Sequence, residues 1–466
     1  MKTQPARKPR PGHTSRAATT VSPARLAAFD ILRRVENEGA FASTLLATLD
    51  DAMRIDDRAL CQELVLGVLR RRLWLDRVIE YFSGRSIESL DMPVLLALRL
   101  GLYQLRCLSR VPASAAVNES VNLMHVARVR SAASFVNAVL RRATREPDYD
   151  PAANIGDPIQ RIVIETSHPV WLIERWARLL GIAETESFAR ANNERSPVAF
   201  RLTARAVKSE RVLVELREAG AALEPSQLVP EAWRIKGAGE VLQKLSGQGL
   251  IYVQDEASQL VAHALGAQAG ERVIDVCAAP GSKTTHIAAL TPQLMIVAGD
   301  LHQHRLQTLR RLASSQGATA IHLVTQDAAH GLPFADGSFD RVLVDAPCTG
   351  TGTLRHNPEI RWRITAEDII ELAARQKLIL FNAARLVRRG GCLVYSSCSV
   401  EPEENESVVQ AFLEENSGFE PLRLQWRKPD YAADLNAPLP TSAGAVRTWP
   451  HKHDVDGFFI AAFTKV

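Results

Sequence analysis

From about residue 250 the chain repeats one unit: an apolar run, a short loop, then an amphipathic stretch. "RVIDVCAA" (272–279) runs into a glycine loop, and "LMIVAGD" (294–300) into "LHQHRLQTLRRLASS". "IHLVTQDA", "FDRVLVDAP", "GCLVYSSCS" and the terminal "GFFIAAFTKV" follow. Runs this continuous, with helices between them, imply a parallel sheet covered on both faces. Ligands of such sheets bind beyond the C-terminal ends of the strands, so the residues closing each run are the candidates for chemistry.

The rest of the chain obeys other periods. Residues 21–147 carry apolar positions at spacings of three and four, as in "RLAAFDILRRVENEG" and "MPVLLALRLGLYQL", and predict an all-α bundle. "EPDYDPAANIGDP" (146–158) is rich in Pro, Asp and Gly and supplies a linker, bounded at 148–158. Residues 159–250 mix helices with strand-like pieces ("VAFRLTA", "AWRIKG"), a small α+β module with no catalytic signature of its own. The α/β domain takes 251–466, and residues 1–20 read as a disordered basic arm.

Charge is uneven. Residues 1–150 hold 23 Lys and Arg against 16 Asp and Glu, while the remainder is slightly acidic, which suits a polyanion such as nucleic acid at the helical end. No uncharged run approaches the roughly 18 residues of a membrane span; "VLLAL" stops at Arg99. The first 20 residues lack the apolar segment of a secretory signal, and the six cysteines lack metal-ligand spacing. The expectation is a cytoplasmic protein with free thiols, no metal and no membrane contact.

"DVCAAPGSKTTH" (275–286) follows neither the G-x-G-x-x-G nor the G-x-x-x-x-G-K-[ST] pattern, so neither a dinucleotide nor a P-loop phosphate is favoured. Ala278, Ala279 and Gly281 still allow close approach of backbone to a ligand, at the start of a helix. The next run ends in Asp300, suited to ribose hydroxyls, and the third in Asp327, suited to an adenine amino group. One aspartate at a strand end is usually a turn or cap residue. Three of them, counting Asp345, beside a small-residue loop indicate an adenosine-type cofactor without a pyrophosphate, of which S-adenosylmethionine is the commonest.

Two thiols close later runs. Asp345-Ala-Pro-Cys348 stands where amino-group methyltransferases carry Asn/Asp-Pro-Pro-aromatic. A thiol is useful when the target carbon is not nucleophilic, as at carbon 5 of cytosine, which attacks a methyl sulfonium only after a nucleophile adds at carbon 6. Asp345 can hydrogen-bond the cytosine edge as charge develops. Cys398 precedes "EPEEN", where Pro402 suits the first turn of a helix whose N–H groups would favour a thiolate, opposed by Glu401, Glu403 and Glu404. Cys61, Cys107 and Cys392 read as small buried hydrophobes, Cys277 as loop packing, and Lys283 as a neighbour of the cofactor loop.

"CAAPGSKTTH", "DAPCTGTGTLRHNPEIRW" and "YSSCSVEPEENE" resemble the RNA cytosine-5 methyltransferases of the NOL1/NOP2/Sun type. "RLGLYQL", "AVNESVNL" and "FVNAVLRR" resemble a NusB-like RNA-binding domain, and the combination is similar to the bacterial ribosomal RNA small-subunit methyltransferase B family. The resemblance implies a Rossmann-like S-adenosylmethionine domain acting on small-subunit ribosomal RNA, with no DNA partner. It implies Cys398 as nucleophile and Cys348 as the thiol that releases product. Cofactor contacts carry over to Cys277, Ala278, Ala279, Pro280, Gly281, Ser282 and Lys283, then to Asp300, Asp327 and Asp345. Ser282 departs from the usual second glycine but is small enough for the loop. The same chemistry on tRNA or large-subunit RNA, or a non-catalytic RNA-binding assembly factor, are the alternatives.

Overall fold

The computed structural model describes residues 21–49, 53–206, 209–424, 439–440 and 445–466; the basic arm expected over 1–20 lies outside the described residues. Two compact units divide between Ala153 and Asn154.

The first unit is helical. Its centre is the helix Met92–Cys107, buried continuously from Val94 to Gln104, as its all-round apolar sequence requires. Helices Pro23–Glu38, Ile55–Arg70, Arg72–Ser83, Ala113–Val126 and Ala133–Arg145 pack against it. Pro23 opens the first helix, and the left-handed glycines Gly39 and Gly84 close the helices Pro23–Glu38 and Arg72–Ser83. Arg99, which interrupts the apolar run, is buried and forked onto Asp76 at 2.7 and 2.8 Å, with Glu36 at 3.0 Å. Tyr149 stacks on Tyr81 with ring centroids 3.7 Å apart, and Trp74 donates to Asp150, so residues just beyond the last helix pack on this unit. Cys61 is a buried hydrophobe, and burial pushes its thiol up to about 12. Cys107 departs from that reading: as the last residue of its helix it is exposed.

The second unit opens with helices Pro158–Thr166, Val170–Leu180 and Ile182–Ala191. Four short strands follow: β1 (Val198–Leu202), β2 (Ala222–Pro225), β3 (Ala232–Lys236) and β4 (Ile251–Val253), antiparallel in the order β2-β3-β1-β4. Helices Glu210–Glu218 and Gly239–Gly247 cover them around Phe200, Leu216, Leu245 and Ile251.

The large sheet contains β5 (Arg272–Asp275), β6 (Met295–Asp300), β7 (Ile321–Thr325), β8 (Phe339–Asp345), β9 (Val387–Ser397), β10 (Phe419–Pro421), β11 (Leu439–Pro440), β12 (Val446–Arg447) and β13 (Phe459–Lys465). Its order is β11-β12-β13-β9-β8-β5-β6-β7, with β10 on β13. Strands β5 to β9 are parallel, as the sequence pattern requires. β13 is antiparallel to β9, so the sheet is mixed rather than all-parallel. Its apolar run is as continuous as the others because burial on both faces, not strand direction, dictates composition. Since β5 adds β6 on one side and β8 on the other, strand order reverses at β5, and the crevice above that point is the ligand position of doubly wound sheets.

Two histidines meet beneath the helix Ser282–Leu290. The rings of His263 and His286 lie 5.4 Å apart, and burial holds His263 near 4 and His286 well below its ordinary value. A histidine kept neutral in the fold is protonated first in the unfolded chain, so it removes stability as pH falls. We expect melting temperature to drop between about pH 6.5 and pH 4, and His263→Phe to flatten that drop. An unchanged slope in the variant, followed by calorimetry, would count against this assignment.

Candidate active site

The C-terminal ends of β5, β6, β7, β8 and β9 surround one cavity of about 380 Å³. Cys277, Ala279 and Pro280 line it from the first loop, Asp300 and Asp327 from the next two strands, and Asp345, Cys348 and Cys398 from the last two. Ala278, Gly281, Ser282 and Lys283 stand outside the lining.

The loop's shape follows from small residues in crowded positions. Gly281 has φ near 110°, and a Cβ there would lie 2.6 Å from Leu309 Cγ, so only glycine lets the loop turn into its helix. Ala278 packs beside Leu309 and Ala298. Asp300 accepts from the backbone of Ala279 (3.3 Å) and His302 (2.9 Å). Arg305 bonds the Ala279 carbonyl at 2.6 Å and approaches Asp300 at 3.5 Å. Loop and Asp300 are thus fixed as one piece. Asp327 accepts from Ala329 N–H and His330, which hold its carboxyl below the usual range. Behind the loop, burial raises Asp275 to about 7 against the hydrogen bond from Thr284. Cys277 is likewise pushed up by burial, so it is an inert thiol in the wall.

The far side of the cavity brings two thiols and a carboxylate together. Cys348 Sγ and Cys398 Sγ are 3.2 Å apart although 50 residues separate them. Contact with Cys398, then burial, pushes the Cys348 thiol well above its ordinary value, and Glu404 and Asp345 add to this. Asp345 accepts from Ser396 (2.8 Å) and pairs with Lys283 Nζ (2.7 Å), which also lies over the Phe458 ring at 5.2 Å. Burial opposes the Lys283 charge, but Asp345 outweighs it and raises the ammonium. Lys283 is thus a fixed cation behind the carboxylate rather than a solvated side chain.

The segment after Cys398 differs from the expected helix. Pro402–Glu404 forms a single 3₁₀ turn, and the α-helix starts only at Glu406. The N–H groups of Ser399, Val400 and Glu401 donate to Ser397, Thr351 and Ser399 hydroxyls, so no row of free amides faces the thiol. The serine- and threonine-rich neighbourhood supplies local acceptors that compete with helix formation. The three glutamates are all engaged. Glu401 takes Arg175 (2.5 Å) and Trp176 (3.1 Å), and Glu403 takes Arg175. Glu404 accepts from Thr349 N (2.9 Å) and Gln376 (2.9 Å), which fixes the Pro-Cys loop from below. Gly352 closes the link: its N–H reaches the Cys398 carbonyl at 3.0 Å, and a Cβ would lie 2.0 Å from the Gly457 carbonyl oxygen.

Sequence reasoning missed Arg305, Gln326 and Arg375, which line the same cavity. Gln326 immediately precedes Asp327, and that adjacency was the available signal. Arg375 comes from the helix Ala366–Ala384, whose sequence gives no sign that one turn faces a ligand.

A Rossmann-like sheet with an adenosine-sized cavity at its switch point, joined to a helical unit and a small antiparallel sheet, defines a multidomain methyltransferase. Three family descriptions match in turn: the NusB family over 22–145, the ferredoxin-like domain of RsmF/B-like methyltransferases over 168–242, and 16S rRNA methyltransferase RsmB/F over 262–464. The chain is 34% identical over 445 residues to the probable ribosomal RNA small subunit methyltransferase B of Bacillus subtilis (strain 168), covering 94% of this chain and 98% of that one. It is 36% identical to the protein of the same name from Synechocystis, covering 95% and 99%. The crystal structure of PH0851 superposes with a TM-score of 0.78 at 29% identity, over 96% of this chain and 99% of the other. The chain belongs to the ribosomal RNA small subunit methyltransferase B family, and its activity is methyl transfer to ribosomal RNA. Among the described residues no helix is long and apolar enough to cross a membrane.

Proposed function

We propose that this protein methylates carbon 5 of a cytosine in small-subunit ribosomal RNA, using S-adenosylmethionine and a transient bond from Cys398 to the base. One observation carries the reading: two thiols 3.2 Å apart, beside a lysine-backed aspartate, at the rim of an adenosine-sized cavity.

The cofactor is supported by a cavity volume in the usual ligand range and by Asp300 and Asp327, which line it from the ends of adjacent strands as ribose- and adenine-binding acids would. Bound there, S-adenosylmethionine would supply an electrophilic methyl group on a sulfonium. Cys398 adds as thiolate to carbon 6, and the electron pair released into the ring makes carbon 5 nucleophilic. Asp345 accepts from the exocyclic amino group, with the Lys283 ammonium behind it to balance charge developing on the ring. After methyl transfer a solvent water or hydroxide takes the proton from carbon 5, its electron pair re-forms the ring double bond, and the carbon–sulfur bond to Cys398 breaks. Cys348, protonated and with its sulfur 3.2 Å away, passes its proton to the departing Cys398 sulfur and regains one from solvent. A cytosine inside a helix cannot reach two strand ends at once, so the target is single-stranded or flipped.

The test is incubation with methyl-labelled S-adenosylmethionine and unmodified transcripts of small-subunit RNA, large-subunit RNA and tRNA, followed by bisulfite sequencing. The reading expects one resistant cytosine, in the small-subunit transcript. Label confined to tRNA or large-subunit RNA would reassign the substrate, and label on another base would overturn the chemistry.

A further inference from the structure

Arg201, on β1 of the small sheet, is 2% exposed, and none of its described partners is a carboxylate. Its Nε donates to Gln254 (2.8 Å), and its Nη2 reaches the Ser282 carbonyl (3.1 Å), Thr285 Oγ1 (3.0 Å) and Gln316 Oε1 (3.3 Å). Nη1 is buried without a hydrogen-bond partner, and Tyr252 covers the guanidinium at 5.0 Å. Burial pulls this cation down to about 9. An uncompensated buried charge is costly, so its contribution is sought in geometry rather than stability.

Those contacts converge on one turn. Thr285 Oγ1 passes the hydrogen bond on to the Gly281 carbonyl at 2.9 Å, and Ser282 and Lys283 begin the same helix. Gln316 ends the helix Gln303–Gln316, which begins just after Asp300. Arg201 therefore ties a strand of the small sheet to both helices that leave the cofactor cavity, and to the turn that holds Lys283 against Asp345.

We infer that Arg201 is a positioning residue through which the small antiparallel sheet sets the conformation of the 277–283 loop and so the affinity for cofactor. This rests on the cofactor reading given above. The test uses the full chain as wild type, Arg201→Met and Arg201→Lys. Calorimetric titration with S-adenosylmethionine is expected to show about 10- to 100-fold weaker binding for the methionine variant, with the lysine variant recovering part of it. Affinity for a small-subunit RNA transcript should change little, and melting temperature should hold or rise because the buried charge is gone. Hydrogen exchange of the ligand-free proteins supplies an independent readout: amides 281–285 should exchange faster in Arg201→Met. Should the wild type bind no S-adenosylmethionine while that exchange difference persists, the cofactor reading fails and the positioning role stands. Unchanged exchange and unchanged cofactor affinity would overturn it. So would parallel losses of cofactor affinity, RNA affinity and melting temperature that lysine does not repair.

Discussion

Cys398→Ala is expected to abolish methyl transfer, lowering kcat by about four orders of magnitude or more, because no other group can add to carbon 6. Cys348 is the nearest candidate, yet its thiol is pushed well up by its neighbour and by burial, and a thiol is a poor nucleophile beside a thiolate. Removing Cys398 also removes the neighbour that raises this thiol most, but Glu404 and Asp345 still face Cys348. The variant should fold, since Cys398 is only partly buried, and it should bind cofactor and RNA as the wild type does. A single-turnover assay with labelled cofactor reads the outcome. Residual transfer within tenfold of wild type would remove Cys398 from the mechanism.

Asp345→Asn is expected to lower kcat by about 10²- to 10³-fold, the scale of losing one preorganised electrostatic contact at a reacting group. The substitution preserves shape and the Ser396 contact but removes the negative charge that holds Lys283 at 2.7 Å. Lys283, with a side chain 11% exposed, is then a buried cation without its counter-ion. Melting temperature should fall as well, because breaking such a pair costs more than never having built it. The split between parameters is diagnostic. If Asp345 works on the base, kcat falls while S-adenosylmethionine affinity stays near wild type. A loss of cofactor affinity with kcat unchanged would move Asp345 entirely to the cofactor side.

Much of the sheet was legible because β5, β6 and the latter halves of β8 and β9 are apolar runs closed by a polar residue, and burial on two faces demands that pattern; β7, at the sheet edge, is only partly buried. The direction of β13 was not, since "FFIAAF" reads the same whether its neighbour is parallel or antiparallel. The candidate residues at the strand ends were legible for the same reason as the strands. What surrounds them was not. Glu401 and Glu403 appear in sequence as charges opposing a thiolate at Cys398, but Arg175, more than 220 residues away, bonds both and turns them to an ion pair. The helix expected directly after Cys398 begins only at Glu406, beyond one 3₁₀ turn, because serine and threonine hydroxyls hold the Val400 and Glu401 amides in a non-helical path. Nor does any local pattern reveal that two thiols 50 residues apart stand in contact.

The most direct measurement is mass spectrometry of the adduct formed by Cys348→Ala with a small-subunit RNA transcript and S-adenosylmethionine. With the release thiol gone, the account expects a complex stable on a denaturing gel, whose nuclease and protease digest yields 5-methylcytosine joined to the peptide containing Cys398. An adduct attached at any other residue, or turnover of Cys348→Ala at the wild-type rate with no adduct, would contradict it.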